Sequence, residues 1–238
     1  MNLVIFDIDG TLTQTSRVDS ICFERALAKN GIDSPEADWH ACPHISDTGL
    51  TRHLYQAHHG REPHEHEEAS LRDCLVALLK EQHACNAGLF AEVAGAGAML
   101  VQLAEKPDWV IAMATGCWRA SAEMKLSAAN IPLHHKPAGF AEDGPAREAI
   151  VTAAIERATT HYNRTNFERI VSVGDGVWDV KTAANLALPF VGIGSEARAA
   201  ALQRQGAKHI VPDFRDINQF FVCLDDAVIP QQSLSKSV

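Results

Sequence analysis

Two hydrophobic patterns alternate along the chain. Short, continuous apolar runs bounded by turn residues occur at 3–6, 110–114, 170–173 and 190–193, with a weaker one at 209–211. Continuity, rather than alternation of apolar and polar positions, marks strands buried on both faces, as in parallel sheets. Between these runs, apolar residues recur at helical spacing over 91–106, 119–130, 145–160, 177–186 and 196–205. Strands alternating with helices of this length predict βαβ units, hence an α/β fold built on a Rossmann-like, doubly wound parallel sheet.

The alternation is broken once. Residues 14–86 contain no strand pattern, only helix-like stretches at 18–30, 48–59 and 65–85, the last carrying Leu71, Leu75, Leu78 and Leu79 at helical spacing. The block reads as an all-α insert, dividing the chain into an α/β core at 1–13 and 87–238 and a helical domain at 14–86. The tail from 229 to 238 is polar and reads as frayed.

Composition narrows the classes. Of 238 residues, 46% are hydrophobic and 21% charged, which excludes disorder as the main state. Lys and Arg number 21 against 30 Asp and Glu, a net charge of −9, which argues against a nucleic-acid partner. The first apolar run is shorter than the about 7–15 residues of a secretory core, and no run reaches the about 20 of a membrane span. A cytoplasmic protein with no membrane partner, monomeric or homodimeric, is therefore expected. The six cysteines form no C-x-x-C pair, so neither structural zinc nor a disulfide framework is expected, and Cys117 stands out for following a strand-end glycine. Seven of the twelve histidines (His40, His44, His53, His58, His59, His64 and His66) fall between residues 40 and 66 and read as exposed.

Candidate chemistry gathers at strand ends, where open α/β sheets bind ligands. The first strand runs into Asp7-Ile8-Asp9-Gly10-Thr11, two carboxylates leaving the strand on one side ahead of a sharp turn. Such a pair suits a divalent cation, a nucleophile or an acid/base couple. A calcium EF-hand is excluded, because Thr11, Leu12 and Val18 fail its required positions. A second cluster, Gly174-Asp175-Gly176-Val177-Trp178-Asp179, ends another buried strand, with its acids four apart on one helical face. Between them, Ala114-Thr115-Gly116 offers a hydroxyl and backbone N–H groups to a phosphoryl oxygen.

In this order and context the motifs resemble those of the haloacid dehalogenase superfamily, on its phosphatase branch with a helical cap, similar to phosphoglycolate phosphatases. The resemblance implies a magnesium-dependent hydrolase of a small phosphorylated metabolite, a phosphate monoester. It makes Asp7 the nucleophile that forms an aspartyl-phosphate, Asp9 the acid/base, and Thr115 with Gly116 the phosphoryl-binding turn. Mg²⁺ would sit among Asp7, Asp9 (through its carbonyl), Asp175 and Asp179. The family's phosphate-binding cation has two candidates: Arg147 in the first turn of a helix, and Lys136 in the pair Lys136-Pro137. Relatives that cleave carbon–halogen or carbon–phosphorus bonds lack the second Asp, so Asp9 favours phosphate esters. A sugar phosphomutase of the same fold is the alternative, which Thr11 disfavours because relatives of that kind tend to carry Val there.

Thr115 lies 108 residues after Asp7, far beyond the about 30 of a bare βαβ unit. The resemblance therefore implies that the insert is a cap over the site. Gln14, His44, Ser46, Thr48 and Arg52 are its candidate substrate contacts. From another class, Gly192-Ile193-Gly194-Ser195 after a strand, with Asp213 downstream, matches a dinucleotide fingerprint. Only 41 residues follow Ala197, too few for a second mononucleotide half, so a cofactor-binding module is the weaker reading.

Overall fold

The computed structural model describes residues 1–32, 42–133 and 135–231. Its centre is a sheet of six parallel strands in the order β3-β2-β1-β4-β5-β6, with β1 Asn2–Phe6, β2 Trp109–Ala114, β3 Ala138–Gly139, β4 Ile170–Gly174, β5 Phe190–Ile193 and β6 His209–Val211. Successive residues of β1 feed opposite faces, the period-two geometry of a strand. Val4 and Phe6 join Met99, Leu126, Phe220 and Leu224 on one side. Leu3 and Ile5 meet Ile150, Val151 and Ala154 on the other. Both faces are thus roofed by helices, which is why the strands read as unbroken apolar runs.

The core helices are α4 Ala96–Ala104, α5 Arg119–Ala128, α6 Arg147–His161, α7 Val177–Asn185, α8 Glu196–Arg204 and α9 Ile217–Asp226, following α1–α3 of the insert. The helix expected from residue 91 starts instead at Ala96. The Val93 N–H donates to Leu12 O at 2.8 Å and Glu92 bridges Thr13, so these residues are tied to the turn after β1. Helix α9 has no counterpart among the predicted elements. Its ten residues present Phe220 and Leu224 to the core and are capped by Asp216, which accepts from the Gln219 N–H at 2.9 Å. Of the polar tail, 232–238 lie outside the described residues.

The insert consists of α1 Ser16–Lys29, α2 Asp47–His59 and α3 Glu65–Cys85. It has a hydrophobic cluster of its own, in which Phe23, Leu27, Leu54, Leu75 and Leu79 are buried. The core contributes Trp118 and Phe90 to that cluster, so the two apolar centres interlock. Polar ties reinforce the junction: Asp47 N–H donates to Gly116 O at 2.7 Å, and Ser46 Oγ to Pro145 O at 2.7 Å. No helix among the described residues is long and apolar enough to cross a membrane.

Candidate active site

The strand order places β1 between β2 and β4, so the turns after these three strands converge at one end of the sheet. Register tightens the convergence, because Phe6 pairs with both Met113 and Val173 immediately before the functional turns. After β1, Leu12 and Thr13 N–H both donate to Ile8 O at 2.9 Å. Gly10 adopts φ +80°, and a Cβ there would lie 2.1 Å from Asp175 Oδ2. The glycine therefore serves both the turn and the close approach of the two acidic loops.

Asp7, Asp175 and Asp179 come together with one carboxylate oxygen from each within 4.8 Å of the others. All three are buried. Arg147, the first residue of α6, donates from Nη1 to Asp179 Oδ1 at 2.8 Å and stands 3.5 Å from Asp7 Oδ1, while its Nε donates to Ile45 O at 3.0 Å. Arg198 pairs with Asp175 Oδ2 at 2.8 Å. Even so, Asp7 Oδ1 and Asp175 Oδ1 are buried without a hydrogen-bond partner. Burial, then repulsion from Asp179, holds the Asp7 carboxyl well above the usual carboxylate range, against the pull of Arg147. The same two causes push Asp175 up to about 7. Orphaned, mutually repelling, hard oxygen donors fit a divalent cation such as Mg²⁺.

Two residues on, Asp9 belongs to a different cluster. Lys125 on α5 is fully buried and donates to Asp9 Oδ2 at 2.7 Å and to Asp19 Oδ1, on α1 of the insert, at 2.6 Å. Thr15 Oγ1 donates to Asp9 Oδ1 at 2.5 Å, and the Cys117 thiol lies 3.1 Å from Asp9 Oδ2. Burial disfavours charge on Lys125, but Asp19 and Asp9 outweigh it and hold the ammonium well above its ordinary value. Burial likewise raises Asp9, yet the charge and hydrogen bond of Lys125 more than offset it, so Asp9 stays ionised. Cys117 is kept a thiol by burial and then by Asp19. The third acid of this neighbourhood, Asp47, accepts from the Trp118 N–H at 2.8 Å and is raised well above the ordinary range, first by burial.

A cavity of about 280 Å³ lies between the insert and the strand ends. Asp7, Asp9, Thr115, Gly116 and Arg147 line its floor, and Ser16, Asp19, Ser20, Phe23 and Leu50 of the insert line its roof. Thr115 is buried, and its Oγ1 accepts from the Cys117 N–H at 3.2 Å. Of the two cation candidates, Arg147 stands on the cavity wall. Lys136 is 6.0 Å over the Tyr162 ring and does not line the cavity.

Several expected cap contacts are placed elsewhere. Thr48, a candidate substrate contact, is buried instead, with its hydroxyl accepting from Trp118 Nε1 at 3.0 Å, and does not line the cavity. Arg52 is exposed on α2 and does not line the cavity either, because Ser46, Asp47 and Leu50 at the start of the helix form the wall and position 52 is left to solvent. Gln14 donates to Glu92 O at 3.0 Å on the linker, and His44 is exposed, whereas Ser46 reaches the wall. The histidines of α2 and α3 named above, as far as residue 66, are exposed, and no His belongs to a potential metal group among the described residues; His40 lies outside them. The glycines after β5 have packing reasons. Gly192 faces Leu202, and a Cβ at Gly194 (φ +155°) would meet the Arg198 chain that reaches Asp175.

Lys125, Asp19 and Asp47 were not among the residues singled out from the sequence. Lys125 had a legible signal: it falls on the helical stripe of Ser121, Ala122 and Leu126 that α5 buries. A lysine on a buried stripe requires buried counter-charges.

A family model described as haloacid dehalogenase-like hydrolase matches residues 1–186. No curated protein matches the chain in sequence. Among solved structures, a hydrolase from Pseudomonas syringae is similar with a TM-score of 0.67 at 20% identity, over 94% of this chain and 98% of that one. A predicted phosphoglycolate phosphatase from Haemophilus somnus has a TM-score of 0.60 at 16% identity, over 92% and 97%. A protein carrying a β-phosphoglucomutase name, from Thermotoga maritima, has 0.58 at 19%, over 95% and 100%. At these identities the likeness is one of fold.

Proposed function

The chain belongs to the haloacid dehalogenase-like hydrolase family, and from that premise we propose that it is a magnesium-dependent phosphatase of a small phosphorylated metabolite, acting through an aspartyl-phosphate. The observation that carries this reading is the orphaned pair Asp7 Oδ1 and Asp175 Oδ1, buried beside Arg147 at the end of the central strand. Asp7, Asp175 and Asp179, with the Asp9 carbonyl, would hold the ion. Bound there, Mg²⁺ neutralises the carboxylates and the phosphoryl charge they must admit.

The chain's own residues account for the rest. A carboxylate oxygen of Asp7 attacks phosphorus and the ester P–O bond breaks, leaving an acyl phosphate on Asp7. Thr115, Gly116 and Arg147 orient the phosphoryl oxygens, the arginine through a planar fork that its bond to Ile45 O holds in place. Asp9 gives a proton to the leaving alcohol oxygen. It must enter that step protonated, and Lys125 favours the carboxylate the step leaves; in the second half-reaction this carboxylate takes a proton from the water that cleaves the acyl phosphate, which restores the protonated form. Residues 14–86 act as the cap, excluding bulk water and limiting substrates to those that fit a cavity of about 280 Å³, at the small end for ligand pockets.

The test is release of inorganic phosphate from p-nitrophenyl phosphate with Mg²⁺ and with a chelator, in the wild type and Asp7→Asn. Magnesium-dependent release that disappears in the variant supports the reading. Release that survives Asp7→Asn overturns it, and transfer to a second sugar position without phosphate release makes the chain a mutase instead.

A further inference from the structure

The charge of the cavity wall limits what the alcohol half of the substrate can be. Among the described residues lining the cavity, Arg147 is the single Lys or Arg, and it is committed to Asp179 and the phosphoryl position. The other nearby cation, Lys125, is fully buried behind the wall and bonded to Asp9 and Asp19. Residues 33–41 contain no Lys or Arg. On the insert side the cavity is lined instead by Asp19, by Ser16 and Ser20, the latter donating to Ser16 O at 2.9 Å, and by the apolar Phe23, Ile45 and Leu50. Asp47 adds a further acid to the same wall.

A carboxylate or second phosphate on the leaving group would be buried here opposite Asp19 with no counter-ion. A hydroxyl or ammonium would instead find acceptors. Asp19 spends Oδ1 on Lys125, while its Oδ2 has the Cys117 thiol only as a distant contact at 4.0 Å. Resting on the phosphatase reading, we infer that the substrate is the phosphate ester of a small, non-anionic alcohol bearing hydroxyl or amine donors, and that the roof on α1 rejects esters whose leaving group is an anion.

The experiment compares kcat/KM of the Mg²⁺-loaded full chain for p-nitrophenyl phosphate, ethanolamine phosphate, glycerol 2-phosphate, phosphoglycolate and 3-phosphoglycerate. The two carboxylate esters are expected to be poorer than ethanolamine phosphate and glycerol 2-phosphate by at least about tenfold, or about 1.4 kcal/mol. Ser20→Lys, which sets a cation on the exposed edge of the roof, is expected to raise kcat/KM for phosphoglycolate and lower it for ethanolamine phosphate. Asp19→Asn is expected to narrow the gap between those two esters through KM. Equal or better turnover of the carboxylate esters by the wild type overturns the inference while leaving the phosphatase reading intact. A preference that neither variant moves overturns the role of the roof. No hydrolysis of any ester, p-nitrophenyl phosphate included, overturns both.

Discussion

Asp7 and Asp9 are separated by one residue, yet their carboxylates are neutralised in opposite ways. Asp7 shares its site with two further acids and keeps an oxygen without a hydrogen-bond partner. Asp9 shares its site with a fully buried lysine that arrives from α5 and also grips Asp19 of the insert. The first centre is short of positive charge and suits an exchangeable ion. The second carries its cation covalently, in a position that no metal need fill. On the proposed mechanism, which admits a phosphate dianion at one carboxylate and moves protons at the next, this division is an advantage. The fixed ammonium favours the Asp9 carboxylate, which makes protonated Asp9 a ready proton donor and leaves a carboxylate to accept the next proton.

The comparison can be broken at either centre. The largest effect is expected from Asp7→Asn, which removes the proposed nucleophile and should lower phosphate release by about a thousandfold or more. Lys125→Met leaves the part-buried Asp9 and Asp19 without their cation. Chemical denaturation should show a loss of about 3–5 kcal/mol, partly restored when Asp19→Asn is added, since Asp9 still lacks its cation. Arg147→Ala should cost about a hundredfold in kcat/KM, the scale of one lost oxyanion donor. Lys136→Ala, measured in parallel, should stay near wild type.

The smallest effect tests the charge contrast itself. Burial raises the folded Asp175 to about 7, above the 3.8 of an unperturbed carboxyl. Its contribution is therefore fully present below about 3.8 and is lost progressively as pH rises from there through about 7. In chelator, wild-type melting temperature should fall relative to Asp175→Asn across that window, by several degrees, and Mg²⁺ should close the gap. Asp9 and Lys125 should contribute no slope there, since Asp9 is lowered and Lys125 raised, both away from neutrality. A gap that does not depend on pH would remove the distinction between the two centres.

Much of the site was readable because its residues are local. Asp7 with Asp9, Thr115 with Gly116, and Asp175 with Asp179 each sit within one turn after an unbroken apolar run, where strand periodicity and glycine punctuation are visible in the chain. The helical insert was readable for a similar reason, as a long stretch without strand pattern. Boundaries were less so. Helix α4 starts late because Glu92 and Val93 pair with the turn after β1, a contact across some eighty positions that no local pattern encodes. Helix α9 is short, and its inward stripe of Phe220 and Leu224 acquires meaning only against the Phe6 ring.

By itself, then, the sequence determined the α/β alternation, the helical insert, the family and the acidic strand ends, all of which are properties of neighbouring residues. Only the tertiary structure set Arg147, and not Lys136, on the cavity wall, turned Thr48 toward Trp118 and joined Lys125 to Asp9 and Asp19. The physical reason is that charge pairing and burial depend on distance in space. Lys125 lies 116 residues from Asp9 and 106 from Asp19, and the sheet order that brings β1, β2 and β4 side by side is what closes those separations.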